Sequence, residues 1–187
     1  MHRREALQRV AVILGGTVIG ADLFLTGCKN EEKKTSMTFS QEDTPYLDEI
    51  ADTIIPTTDT PGAKAAEVGK FMTVYVNDCY DEKNQKVFHE GMGKLNDASK
   101  KKYDGVFIKL TPQQKHDLLV ELDKEQKEYS KNKKPDDPQH YFRLMKELTL
   151  LGYFTSKIGA TQALRYIETP GRYEGCIPYK KGEKAWA

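Results

Sequence analysis

Apolar residues recur along most of this chain at the period of an α-helix. Leu47, Ile50, Ala51, Ile54 and Ile55 fall on one stripe that Pro56 closes, and Phe39-Ser40-Gln41-Glu42-Asp43 sets an apolar residue, a capping serine and acids ahead of it. The spacing predicts a helix over 41–55, begun where serine and acid meet the free N–H groups of the first turn. Thr57 to Gly62 is rich in turn formers, its Pro61-Gly62 pair marking a reversal. Val68, Phe71, Met72, Tyr75, Val76 and Cys79 repeat the helical spacing and predict a second helix over 63–80. From Glu82 to Lys102 the pattern weakens, with Val87, Phe88, Gly91 and Leu95 as the inner face and Lys100, Lys101 and Lys102 solvated. Val106-Phe107-Ile108 is the one short β-like run.

Thr111-Pro112 is a cap followed by proline at the first helical position, and Leu118, Leu119 and Leu122 carry the buried stripe of a helix over 112–129. Ser130 to Gln139 has two prolines and no apolar residue, which makes it an exposed loop. Tyr141, Phe142, Leu144, Met145, Leu148, Leu151 and Gly152 open a helix ending near Ser156, too apolar for one face and therefore central. A short helix over 159–167 follows. Beyond it, turn formers alternate with aromatics and no periodicity survives. Tyr166, Tyr173, Tyr179 and Trp186 thus lie either across the helices or against another chain. The expected architecture is a small all-α domain over 39–187 with an irregular, aromatic C-terminal arm.

The first 27 residues follow a different pattern. Arg3-Arg4 is followed by an apolar run from Val10 to Ala21, diluted by Gly15, Gly16 and Gly20, and then by Leu25-Thr26-Gly27-Cys28. The run is shorter than the roughly 20 residues a spanning helix needs, so it reads as an export signal. Arg3 and Arg4 resemble a twin-arginine signal; general secretion stands as the alternative, because His2 and Ala6 occupy positions where a hydroxyl residue and Phe are usual. The Leu-Thr-Gly-Cys end resembles a lipobox, which makes Cys28 the acylated N-terminus of a chain held by two acyl chains at the membrane. Residues 28–38 are charged and have nothing to bury, so they form a flexible tether. The expected location is the cell envelope, on its periplasmic or outer-membrane face.

Composition narrows the chemistry. With 187 residues, 38% hydrophobic and 30% charged, the chain suits one soluble domain. Its net charge is +1, and removing the leader leaves 26 basic and 26 acidic residues, so no basic field points to nucleic acid. Gly91-Met92-Gly93 lacks the third glycine and the strand of a dinucleotide loop, and no Cys-x-x-Cys-His or nucleophile elbow occurs. His89, His116 and His140 stand singly, without metal-ligand spacing. Asp48 and Asp52, beside Glu49, could share one helix face as an acid/base pair, but a solvated acidic face explains them better. No catalytic, cofactor or metal site is therefore expected in this chain. Cys79 and Cys176 either pair with each other in an oxidising compartment, or Cys79 is core while Cys176 bridges to a partner.

Asp48-Glu49-Ile50-Ala51-Asp52-Thr53-Ile54-Ile55-Pro56, Thr60-Pro61-Gly62-Ala63, Gly152-Tyr153-Phe154, Gln162-Ala163-Leu164-Arg165-Tyr166 and Pro170-Gly171-Arg172-Tyr173-Glu174-Gly175-Cys176 together resemble the gluconate 2-dehydrogenase subunit 3 family. The resemblance implies a noncatalytic small subunit that partners a large flavoprotein of the glucose-methanol-choline family. FAD would sit in that partner, which oxidises a sugar, sugar acid or glycoside, with a cytochrome c among the possible acceptors. The small chain would supply the export signal and the anchor. Its contact residues would be Tyr153, Phe154, Gln162, Arg165, Tyr166, Tyr173, Tyr179 and Trp186, for which packing within the chain is the competing account. A free-standing surface lipoprotein that binds glycan through exposed aromatics, and an enzyme acting alone, are the alternatives.

Overall fold

The computed structural model describes residues 38–169, 171–172 and 175–186. Arg3, Arg4, Cys28, nearly all of the tether and Tyr173 lie outside the described residues. Five α-helices follow one another: α1 (Asp43–Ile54), α2 (Val68–Cys79), α3 (Glu82–Tyr103), α4 (Pro112–Asn132) and α5 (Tyr141–Thr155). A 3-10 turn (Phe107–Lys109) precedes α4 and a π-helical turn (Gly159–Ala163) follows α5. Among the described residues there is no strand, only an isolated bridge between Arg165 and Trp186. The domain is all-α, as its periodicity predicts. No helix among the described residues is long and apolar enough to cross a membrane.

The most apolar helix is the central one. α5 packs against each of the other four and buries Tyr141, Phe142, Leu144, Met145, Leu148 and Tyr153 against Leu47, Ile50, Met72, Phe88, Leu95 and Leu119. Two glycines permit this closeness. A Cβ on Gly91 of α3 would come within 2.4 Å of Tyr141 Cβ, and one on Gly152 of α5 within 2.6 Å of the Phe71 ring. Gly91 therefore serves helix packing, and its neighbour Gly93 faces open space.

Element ends depart from the sequence pattern where local hydrogen bonding outweighs periodicity. α1 starts at Asp43 rather than 41: the Ser40 hydroxyl caps nothing, and instead Asp43 Oδ2 accepts from Ser40 N at 2.6 Å. α2 starts at Val68 rather than 63, because Ala63 to Glu67 form tight turns and Glu67 sits at φ 52°, a left-handed residue that interrupts helix geometry. The weakly patterned stretch is the longest helix. Asp81 caps α3 by accepting from Asn84 N, and left-handed Asp104 ends it. The β-like Val106-Phe107-Ile108 run is a 3-10 turn instead, whose single buried side chain, Phe107, plugs the core. α4 opens on a full capping box, with Thr111 accepting from Gln114 N and Gln114 reaching back to Thr111 N, and runs to Asn132. The short helix over 159–167 contracts to the π turn, since Leu164 turns extended.

Candidate functional site

The C-terminal arm is where the sequence-derived contact residues converge, and its geometry starts at the end of α5. Tyr153 is not a surface residue. It is 2% exposed and its hydroxyl donates to Pro61 O at 2.7 Å, tying the end of α5 to the Pro-Gly loop. Phe154, next to it, faces solvent beside Leu150 and Leu151. The chain then turns sharply at Gly159, where a Cβ would meet Tyr153 O at 1.9 Å, so only glycine fits.

From Leu164 the arm folds back on itself. Arg165 N donates to Ala185 O at 2.8 Å, the Arg165 guanidinium lies 4.3 Å over the Trp186 ring, and its Nη1 is 3.4 Å from Glu183 Oε2. Lys184 Nζ donates to Gln162 O, adding a second tie across the same junction. Arg165, Gln162 and Trp186, expected at a contact surface, thus first clasp one another. The clasp leaves Tyr166, Ile167, Ile177 and Tyr179 exposed, Tyr179 at 86%. Among the described residues, none beyond Ala163 belongs to the core or packs against it. The described aromatics of the arm, Tyr166, Tyr179 and Trp186, do not pack on the helical core.

Cys79 and Cys176 are both exposed, free thiols. Cys79 shares the α2 stripe only nominally: Val68, Met72 and Val76 are buried, whereas Cys79 ends the helix in solvent. The two are not joined, so the arm is held by its clasp and not by a disulfide.

The acidic residues of α1 are not a plain solvated face. Asp48 Oδ1 accepts from Gly69 N at 2.7 Å, capping α2 from a neighbouring helix where its own flank offers only left-handed Glu67. Burial pushes the Asp48 carboxyl above its ordinary range, against the lowering effect of that hydrogen bond and of Lys64. Glu49 bridges two lysines. Its Oε2 lies 2.7 Å from the mostly buried Lys115 Nζ and its Oε1 takes Lys64, and these hydrogen bonds, Lys115's foremost, hold the carboxyl below its usual range. Lys115 also stands 5.8 Å over the Phe107 ring. Neither role was visible in sequence, because both partners come from distant segments; the one local hint was a lysine, Lys115, placed among leucines.

His140 is the N-cap of α5, its Nδ1 accepting from Phe142 N at 3.3 Å. Burial lowers its pKa, with Glu125 opposing, which keeps the acceptor nitrogen free of a proton at neutral pH. His89 stacks on Phe39, 4.2 Å between ring centres, and lines a cavity of about 590 Å³ with Glu42, Asp43, Tyr46, Met92 and Ile108. Tyr46 donates to Met92 O at 3.2 Å, and burial raises its phenol pKa, so it holds its proton. No group of three or more His, Cys, Asp or Glu among the described residues is placed to hold a metal ion.

The fold so far defines a class: an all-α domain with a central apolar helix and a clasped, aromatic C-terminal arm. A family match extends over residues 41–171, most of the chain, and its description is gluconate 2-dehydrogenase subunit 3. The chain belongs to the gluconate 2-dehydrogenase subunit 3 family, and with it to the small accessory subunits of a dehydrogenase. No curated protein and no solved structure matches the chain.

Proposed function

We propose that this chain is the noncatalytic small subunit that exports, anchors and stabilises a large FAD-dependent dehydrogenase of the glucose-methanol-choline family in the cell envelope. The partner would be of the gluconate 2-dehydrogenase or glycoside 3-dehydrogenase type, acting on a sugar or sugar acid and passing electrons to an acceptor such as a cytochrome c. The observation that carries this reading, beside family membership, is the arm. Its exposed Tyr166, Ile167, Ile177 and Tyr179 are presented by an internal clasp and left without apolar cover. Tyrosines held this way offer large contact area at low entropic cost.

Each segment then has a task. Arg3 and Arg4 engage a translocase, Cys28 carries the lipid, residues 28–38 give reach, and the arm with Phe154 docks the flavoprotein. Cys176, exposed on that arm, is available to bridge to the partner. FAD belongs to the partner in this scheme. This chain's nearest approach to a dinucleotide loop, Gly91 to Gly93, lies inside α3 with Gly91 pressed on Tyr141, which does not fit a pyrophosphate. Docking that favours the native flavoprotein raises its stability by mass action, about 2.7 kcal/mol when the free small subunit is at 100 times its Kd.

The test is native affinity purification of the tagged chain from its own envelope, with absorbance scanning and mass spectrometry of what accompanies it. A stoichiometric larger chain with a flavin spectrum is expected. A colourless, solitary lipoprotein would sink the proposal and leave the glycan-binding reading, which sugar titration of the purified chain would then check.

A further inference from the structure

The strongest uncommitted feature lies on the other side of α5, in the groove it forms with α4. The exposed charges of α4 are segregated. Asp117, Glu121, Glu125 and Glu128 follow one stripe at helical spacing, while His116, Lys124, Lys127 and Lys131 follow another that borders the groove. From α5, Arg143 and Lys146 close the opposite rim. Two cavities of about 320 and 360 Å³ adjoin along the groove, with Lys127 and Lys146 lining both. His116 to Lys131 spans roughly 22 Å of helix at 1.5 Å per residue.

The charges in the groove do not balance. Asp123 is the acid between the rims, and it takes both Lys127 at 2.7 Å and Lys146 at 2.6 Å. Arg143 pairs with Glu147 at 2.7 Å. The two cavities are lined by Lys124, Lys127, Lys131, Arg143 and Lys146 against Asp123 and Glu147, so the groove keeps a surplus of positive charge. Asp123 stays ionised in its two bridges: burial works against its ionisation, yet hydrogen bonds from Lys127, Lys146 and Gln126 bring its carboxyl down to about 2. The floor is apolar, made by Leu119, Val120, Phe142 and Leu150. Leu150 continues into Phe154 on the same helix face, toward the arm.

We infer that the α4–α5 groove seats an acidic, amphipathic segment of the partner subunit, its carboxylates on Lys124 and Lys131 and its apolar side chains on Val120 and Leu150. The inference rests on the proposed partnership with a flavoprotein. The shape favours a peptide over a bilayer: adjoining concavities with apolar lining admit the side chains of a narrow amphipathic segment, whereas flat headgroups would reach only the rims. Charge-steered seating of this kind is screened by salt.

The experiment uses the complex as purified from the envelope, comparing wild type with Lys124→Glu/Lys131→Glu and with Lys100→Glu/Lys101→Glu, an equal charge change at exposed α3 residues that line neither cavity. All three should melt within a few degrees of one another. Wild type should shed flavoprotein progressively as salt rises. Lys124→Glu/Lys131→Glu should bind at least about tenfold more weakly at low salt, with a flattened salt profile, and Lys100→Glu/Lys101→Glu should follow wild type. A photo-crosslinking residue at Val120 should yield adducts within an acidic stretch of the large subunit. An unchanged salt profile in Lys124→Glu/Lys131→Glu, or Val120 adducts to lipid, overturns the groove's occupant while flavoprotein in the wild-type eluate keeps the escort proposal standing. A wild-type eluate with no flavoprotein overturns both.

Discussion

Asp48 and Glu49 are adjacent residues whose carboxyls respond to the fold in opposite ways. Asp48 works as a cap for a helix it does not belong to. Asp48→Ala removes the acceptor for Gly69 N and should destabilise the chain by about 1 kcal/mol, whereas Asp48→Asn keeps an acceptor oxygen without a half-buried charge and should stay near wild type in chemical denaturation. Glu49 leaves a larger gap. Glu49→Gln strands a mostly buried lysine, and a loss of about 2 kcal/mol is expected, less than for a fully enclosed pair because water still reaches Glu49. The signs also separate with pH. Glu49 and His140 both have lowered pKa values, so their contributions are present above their unfolded values and fade as pH falls, His140 below about 6.5 and Glu49 below about 4.5. Asp48 is raised, so its contribution is present at low pH and lost as pH rises through its folded value, which offsets part of the acid sensitivity. A pH series of urea midpoints should therefore fall on acidification in wild type and fall less in Glu49→Gln. None of this was legible in the sequence, where both residues sit on the polar side of a clear apolar stripe.

At the scale of elements, apolar period identified the helices and side-chain geometry set their ends. Thr111-Pro112 and the Leu118/Leu119/Leu122 stripe placed α4 because cap and stripe agree. α3 was faint because its inner face spends one position on Gly91, which carries no apolar signal yet brings α3 against Tyr141. The 3-10 turn looked β-like for the reverse reason: three β-formers in a row, with only Phe107 buried. Two glycines on one helix make a controlled test. Gly91→Ala forces Tyr141 and the backbone of α5 aside and should cost about 1–3 kcal/mol, while Gly93→Ala meets nothing within 4 Å and should gain up to about 1 kcal/mol from helix propensity. Thermal melts of the two variants should move in opposite directions.

For the whole molecule, the division between body and arm matters most. The sequence showed that the arm lacks periodicity and carries aromatics, but not that Arg165 and Trp186, about 20 residues apart, would find each other; a cation over a ring leaves no local pattern. Because none of the described residues beyond Ala163 enters the core, deleting residues 164–187 should leave the melting temperature of the body within about 2 °C and abolish co-purification of flavoprotein. A truncated chain that unfolds would show instead that the arm supports the helices. Arg165→Ala, in contrast, keeps the exposed Tyr166 and Tyr179 and loosens the clasp by removing its contacts to Trp186 and Glu183. A free loop of this length loses freedom when it is finally pinned to a partner, and that loss grows with the logarithm of loop length. The clasp meets that loss inside the isolated chain, so the arm would reach the proposed partner as a preformed loop, and loosening it should slow association while Tyr166 and Tyr179 remain in place.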